Sequence, residues 1–405
     1  MKKDKEEENI KEKATFSLPE VLIVMIICIV FGLLIGVFVV NNRNYNAENN
    51  PKIDFNEITG LYDDIKANYY GEYTDSSMRD NTVNGILSTL KDPYAKLITG
   101  DIATMYVEDL ESEYVGIGVV LEKESAESYP KITKIYDLSP ASKTDIKIDD
   151  EIIKIEDKDI LDKSISEIYL LLKGGTRGDK IKITTRRYEE EEYKDKDLTI
   201  SKEIITVPSV SVNYIEKDDK KIAEIVIKTF SKYTYKEFNN IYKDIKKEKC
   251  SGLIIDIRDN GGGYLSSASS ITSLFLEKDK IIYISKKNNK EEKVLSTNDK
   301  EIDIKTVLLV NEGTASGSEV MASSLKENID VKIVGTTTYG KNTLQKIHRL
   351  KDGAVVKFTI GEWLTSSGKK ISEEKIVPDV VVRNPKGVKN NSEQDKQLIE
   401  ALKQF

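Results

Sequence analysis

Between Ala223 and Val334 the chain changes its hydrophobic period repeatedly, and this alternation limits its fold more than any other feature. The runs Ala223 to Ile227, Leu253 to Ile257, Ile281 to Ile284, Thr306 to Val310 and Val331 to Val334 are short, apolar and rich in branched residues, as buried strands require. Between them Tyr235, Phe238, Ile241, Tyr242 and Ile245 recur at helical spacing, a second helix is expected from about Leu265 to Leu274, and a third after Ser316. Strands alternating with helices predict an α/β core. Sites in such cores form at the carboxyl ends of strands. Two loops fall there, Arg258-Asp259-Asn260-Gly261-Gly262-Gly263 and Asn311 to Ser316. Val355 to Trp363 supplies a further strand, with a turn over Thr365 to Lys370.

Upstream the texture differs. Gly116-Ile117-Gly118-Val119-Val120 opens a series of short strands, followed by Ile132 to Tyr136 and a short helix at Ser139-Pro140-Ala141-Ser142. Asp149 to Ile155 is a turn feeding a strand, Ile165 to Leu172 an amphipathic helix, and Lys180 to Thr185 a closing strand. This order resembles a PDZ domain. The resemblance makes Gly116, Ile117, Gly118 and Val119 the turn and strand start that receive a peptide's terminal carboxylate. The Lys- and Glu-rich stretch Glu189 to Lys196 reads as a solvated hairpin or linker. Nearer the N-terminus, Ile58, Leu61, Tyr62, Ile65 and Tyr69, then Val83, Ile86, Leu87 and Leu90, recur at helical spacing and end at Asp92-Pro93.

Val21 to Val40 is continuously apolar and about long enough to cross a bilayer. Lys2, Lys3, Lys5, Lys11 and Lys13 precede it and place the N-terminus in the cytoplasm. A retained, signal-peptide-like anchor is expected rather than a cleaved signal, because the run is long and no small-x-small site follows. Phe16 to Glu20 resembles the start of type IV prepilins, but Thr15 stands where their cleavage glycine belongs. Gly32 and Gly36 have a spacing that can pack two spans, which leaves a homo-oligomer open. The expected division is a cytoplasmic tail over 1–20, a transmembrane anchor over 21–40, an N-terminal helical segment over 53–110, a mostly-β PDZ-like domain over 113–190, an α/β core over 201–385 and a C-terminal helix over 386–405.

Composition narrows the chemistry. The chain has one histidine, His348, so histidine-based triads and histidine-rich zinc sites would all depend on that residue. A formal charge of -7 argues against nucleic acid as the main partner. Cys28 and Cys250 form no plausible disulfide and signal no thiolate chemistry. No metal or cofactor site is predicted. A lysine can replace imidazole as general base if burial keeps its amine neutral. Ser316 and Lys341, twenty-five residues apart, have a suitable spacing. Ser316-x-x-Glu319 is also a capping-box pattern, and a helix start offers free N–H groups to an oxyanion. Gly335 to Asn342 comes within one residue of a P-loop, but Asn342 replaces the hydroxyl that binds magnesium and no convincing helix follows.

Taken together, Asp256 to Gly263, Thr314 to Glu319, Gly335 to Gln345 and Glu373 to Val380 resemble the carboxy-terminal processing (tail-specific) protease family. The resemblance spans about Ile58 to Val382, the inserted PDZ-like domain included. It implies Ser316 as nucleophile, Lys341 as general base, Gln345 as its support, and the amides of Gly262 and Gly317 as the oxyanion hole. The chain departs from the family at Gly317, Gly261 and Asn342, where alanine, proline and glycine are usual. The expectation is a membrane-anchored serine endopeptidase whose catalytic part lies outside the cytoplasm and acts on proteins with exposed C-terminal tails. The alternatives are an inactive membrane-tethered PDZ scaffold and a nucleotide-dependent enzyme using Gly335 to Lys341.

Overall fold

The structure, a computed structural model, describes residues 54–288, 290–297 and 299–405, together with 19, 25 and 29–33. Most of the predicted cytoplasmic tail and anchor, including Phe16 to Glu20 apart from Pro19, and Gly36, therefore lies outside the described residues. Among the described residues no helix is long and apolar enough to cross a membrane. The chain divides into a unit over 1–74 and one over 75–405. In the first, Phe55–Asn68 is a helix whose start is capped by Asp54, Oδ1 accepting the Asn56 N–H at 2.9 Å.

The larger unit is built on a six-stranded sheet in the order Val210–Lys217, Lys220–Ile227, Gly252–Asp256, Thr306–Val310, Lys332–Gly335, Val380–Val381. The first pair is antiparallel and the rest are parallel, as the strand–helix alternation predicts. Period-two alternation divides its apolar residues between two faces. Leu253, Ile255, Leu308 and Val310 meet the helices Thr234–Lys247, Leu265–Ser273 and Gly317–Ile329. Ile254, Val307, Leu309 and Val334 meet the C-terminal helix Lys396–Leu402. Arg258 lies fully buried on this second face and donates to Asp256, Asp395, Gln397 and Asn391.

A second, antiparallel sheet holds Ile281–Lys287, Lys290–Leu295, Thr343–Arg349, Val355–Leu364 and Lys96–Ile98. Ile281 to Ile284, expected among the strands of the α/β core, belongs here instead. So does a strand from the segment expected to be only helical, because Lys96–Ile98 pairs with residues 355–357. The helices Asp75–Ser88 and Gly100–Glu111 flank that strand in sequence.

The inserted domain is mostly β, as expected. Its main sheet runs Val119–Glu122, Lys131–Ile135, Glu151–Ile155, Lys180–Glu189, Glu192–Ser201, around a core that includes Ile117, Leu121, Ile132, Ile168 and Ile183. It extends past the expected limit at 190, which falls in a hairpin turn. The acidic and basic residues of Glu192–Ser201 face solvent, while Leu198 and Ile200 continue the inward pattern. Glu113–Gly116 then pairs with Glu203–Thr206, so both ends of the domain close on one two-stranded ribbon. Ser164 and Glu167 form a capping box at the start of the helix Ile165–Leu172. At its other end the buried Lys202 Nζ donates to the carbonyls of Leu171, Lys173 and Gly174 at 3.4, 3.2 and 3.2 Å.

Candidate active site

The two strand-end loops named by sequence are bonded to each other. Thr314 Oγ1 donates to the Ile257 carbonyl at 2.8 Å, while Ala315 N–H and Ser318 Oγ donate to the Asn260 carbonyl at 3.0 and 2.9 Å. These bonds hold Ser316 at the start of its helix with φ 54° and ψ −115°, a conformation rare for a residue with a Cβ. Gly262 has φ 104°, and a Cβ there would lie 2.9 Å from the Ala315 oxygen and 3.0 Å from Gly317 N. Only glycine fits so close to the serine's backbone.

The expected oxyanion donors differ in state. Gly262 N–H donates to Asn260 Oδ1 at 2.9 Å. Gly317 N–H has no hydrogen-bond partner among the described residues, as the first turn of a helix allows.

Lys341 lies between Lys332–Gly335 and Thr343–Arg349. Its Nζ donates to Gln345 Oε1 at 2.8 Å, and Gln345 Nε2 donates to the Tyr94 carbonyl at 3.3 Å. The Tyr94 ring lies 5.5 Å from the amine. Trp363 fixes the backbone around the lysine, Nε1 donating to the Lys341 carbonyl at 3.2 Å and N–H to the Asn342 carbonyl at 2.8 Å. Burial lowers the Lys341 pKa, the neighbouring Lys357 lowers it further, and Glu319 opposes both. Lys357 is itself depressed by burial and by Lys96.

Ser316, Lys341, Gln345, Gly262 and Lys357 line one cleft of about 970 Å³. His348 is exposed on Thr343–Arg349 and is not among the residues lining it. The P-loop reading fails on the same strand: a phosphate cradle needs a helix after Lys341, and Thr343–Arg349 is extended.

Several residues at the site escaped sequence reasoning. Glu319 is fully buried and accepts from Ser316 N–H, Thr338 Oγ1, Gly340 N–H and Lys341 N–H. The capping-box spacing signalled its bond to Ser316 but not the three bonds to the lysine loop. Tyr94, Asp92 and Lys357 come from strands and turns whose pairing no local pattern records. Asp92 Oδ2 accepts the Thr359 N–H at 2.7 Å, which ties the Tyr94 turn to the second sheet.

In the β domain, Gly118 has φ 86°, and a Cβ there would lie 2.3 Å from that of Ser139. A Cβ at Gly116 would meet the Tyr114 ring at 2.6 Å. The carbonyls of Ile117 and Gly118 accept from Ala141 and Tyr136, both at 2.9 Å. Their N–H groups have no hydrogen-bond partner among the described residues. Val119–Glu122, which follows, is at the edge of its sheet.

Residues 221–382 match the family described as Peptidase family S41. Over 332 residues the chain is 33% identical to the carboxy-terminal processing protease CtpA of Bacillus subtilis (strain 168), covering 82% of this chain and 69% of that one. It is 27% identical over 368 residues to a CtpA-like serine protease of Staphylococcus haemolyticus (strain JCSC1435), covering 90% and 72% of the two chains. Its fold is similar to that of an S41 protease of Bacteroides fragilis NCTC 9343, with a TM-score of 0.51 at 15% identity over 83% and 90% of the two chains.

Proposed function

The chain belongs to the carboxy-terminal processing serine peptidases of family S41, and within that family we propose that it is a membrane-anchored endopeptidase working through a Ser316–Lys341 dyad. One observation carries the dyad: a half-buried amine of lowered pKa, held by Gln345 Oε1 at 2.8 Å, on the cleft that Ser316 lines. An amide oxygen orients the amine through one N–H and leaves its lone pair free for the serine proton.

Neutral Lys341 removes the Ser316 hydroxyl proton as Oγ bonds to the scissile carbonyl carbon. Charge moves to the carbonyl oxygen, where Gly317 N–H is available, joined by Gly262 N–H when it turns from Asn260 Oδ1. The lysine, now protonated, gives that proton to the departing amine as the peptide bond breaks. Water then attacks the acyl-serine, losing its proton to Lys341, and the serine recovers that proton as the acid product leaves.

Tail recognition is proposed for the β domain. The N–H groups of Ile117 and Gly118, without a partner among the described residues, suit a terminal carboxylate, and the Val119–Glu122 edge suits an added strand. Apolar residues 21–40 support anchoring with the peptidase outside the cytoplasm. A fluorophosphonate probe tests the dyad against an inactive scaffold. Labelling of wild type but not of Ser316→Ala or Lys341→Ala is expected, and an unreactive wild-type serine would leave the scaffold reading.

A further inference from the structure

The strand edge assigned to the tail is already taken. Among the described residues, Val119–Glu122 is paired on one side only, with Lys131–Ile135. Toward the helix Ile165–Leu172, Leu121 N–H donates to the Tyr169 hydroxyl at 2.7 Å, and that hydroxyl lies 3.4 Å from the Leu121 carbonyl oxygen as its donor. One phenol thus satisfies both main-chain groups that an added strand would use at this residue.

The phenol is held in place from several sides. Its helix is capped by Ser164 and Glu167 at the start and by Lys202 Nζ at the end. Lys173 Nζ lies 5.5 Å from the Tyr169 ring and 4.4 Å from the Tyr114 ring, and is anchored by Glu108 at 3.3 Å. Burial raises the pKa of Tyr169, with its Leu121 bond opposing, so the hydroxyl keeps its proton at neutral pH and can still donate.

We propose that Tyr169 is a latch on the tail groove, its hydroxyl standing in for the backbone of the incoming peptide at Leu121. This rests on the reading of the β domain as the tail receptor. Opening requires a peptide able to replace both bonds at once, a carbonyl for Leu121 N–H and an N–H for Leu121 O. If the terminal carboxylate sits on the N–H groups of Ile117 and Gly118, the strand repeat puts the tail's third residue from the end opposite Leu121. A proline or N-methylated residue there supplies no N–H and cannot complete the exchange. The latch therefore adds a backbone test to recognition of the carboxylate, and selects tails that are extended and free over several residues.

The test uses the full chain carrying Ser316→Ala, so that nothing is cut, and a fluorescein-labelled peptide with an apolar free C-terminus beside its amidated twin. Tyr169→Phe removes only the competing oxygen and leaves Leu121 short of a partner in the empty state. Anisotropy should show the free tail binding roughly five- to tenfold tighter than to the Tyr169 form, with Tyr169→Leu changing in the same direction. Amide exchange at Leu121 should quicken in Tyr169→Phe alone and slow again when the tail is bound, which a purely structural tyrosine would not produce. Unchanged or weaker binding by Tyr169→Phe, with the free tail still preferred to its amidated twin, would remove the latch and leave tail reading standing. Equal binding of the twins, or no binding by any variant, would remove tail reading and the latch together.

Discussion

One carboxylate, that of Glu319, joins the backbone of Ser316 to that of Lys341. Oε2 accepts both N–H groups at 2.9 Å, while Oε1 accepts Gly340 N–H at 2.6 Å and Thr338 Oγ1 at 2.7 Å. The loops carrying nucleophile and base leave different strands, Thr306–Val310 and Lys332–Gly335, and their relative position depends on this shared anion. Burial raises the pKa of Glu319 and the four donors pull it the other way. Glu319→Gln puts an amide NH2 where only acceptors fit. Its kcat/KM is expected to fall about 10- to 100-fold, through misplacement of the pair rather than loss of a reacting group. Steady-state kinetics beside circular dichroism checks this, and a variant with unimpaired kinetics would show that the clamp is dispensable.

Ser316→Ala and Lys341→Ala should each lower turnover about a thousandfold or more, with the double variant little worse, because the pair acts as a unit. His348→Ala should keep most activity, since that side chain is exposed and does not line the cleft. Peptide cleavage assays on the four variants decide it. Inactivation by a well-folded His348→Ala would overturn the assignment.

The pH profile follows from Lys341. A base acts only when unprotonated, so kcat/KM should rise as pH increases through its lowered pKa and level off above. Lys357, a second cation on the cleft, disfavours protonation of Lys341. Lys357→Met should therefore move the midpoint to higher pH, although the amine itself is untouched. Rate profiles of both forms test the sign, and a midpoint moving downward would contradict it.

The legible parts of this chain were those whose signal is local. Strand runs such as Leu253 to Ile257, the helix face of Phe238 and Tyr242, and the glycines beside Ser316 declare themselves within a few residues, and the structure brings Ser316, Lys341, Gln345 and Gly262 to one cleft. What stayed hidden depends on pairing across the chain. Lys96–Ile98 joins residues 355–357 some 260 positions away, and through Tyr94 that junction supports Gln345. Glu319 shows the limit within a single motif: its spacing from Ser316 is a local rule, whereas its bonds to Gly340 and Lys341 exist only once the two strands are side by side. The expected limit of the β domain at 190 falls short of its end because charged residues on the outer face of Glu192–Ser201 mask the alternation of Leu198 and Ile200.

A last prediction concerns stability rather than rate. Glu224 lies almost fully buried on the sheet face that meets the C-terminal helix, with Oε2 accepting from Asn213 Nδ2 at 2.9 Å and Oε1 without a hydrogen-bond partner among the described residues. Burial pushes its pKa up to about 7 from 4.5; the Asn213 bond opposes this, Asp256 and Asp395 add to it, and Arg258 offsets it. The folded chain thus holds this proton more firmly than the unfolded chain. Its stabilising effect is complete below the unfolded value and is lost as pH rises through about 7. By linkage the loss is on the order of 3 kcal/mol across that window. Glu224→Gln keeps the shape without the titration, so its melting temperature should fall less between mildly acidic and mildly alkaline pH, and should exceed that of wild type at the alkaline end. Parallel melting curves for the two proteins across the whole range would show that Glu224 does not titrate there.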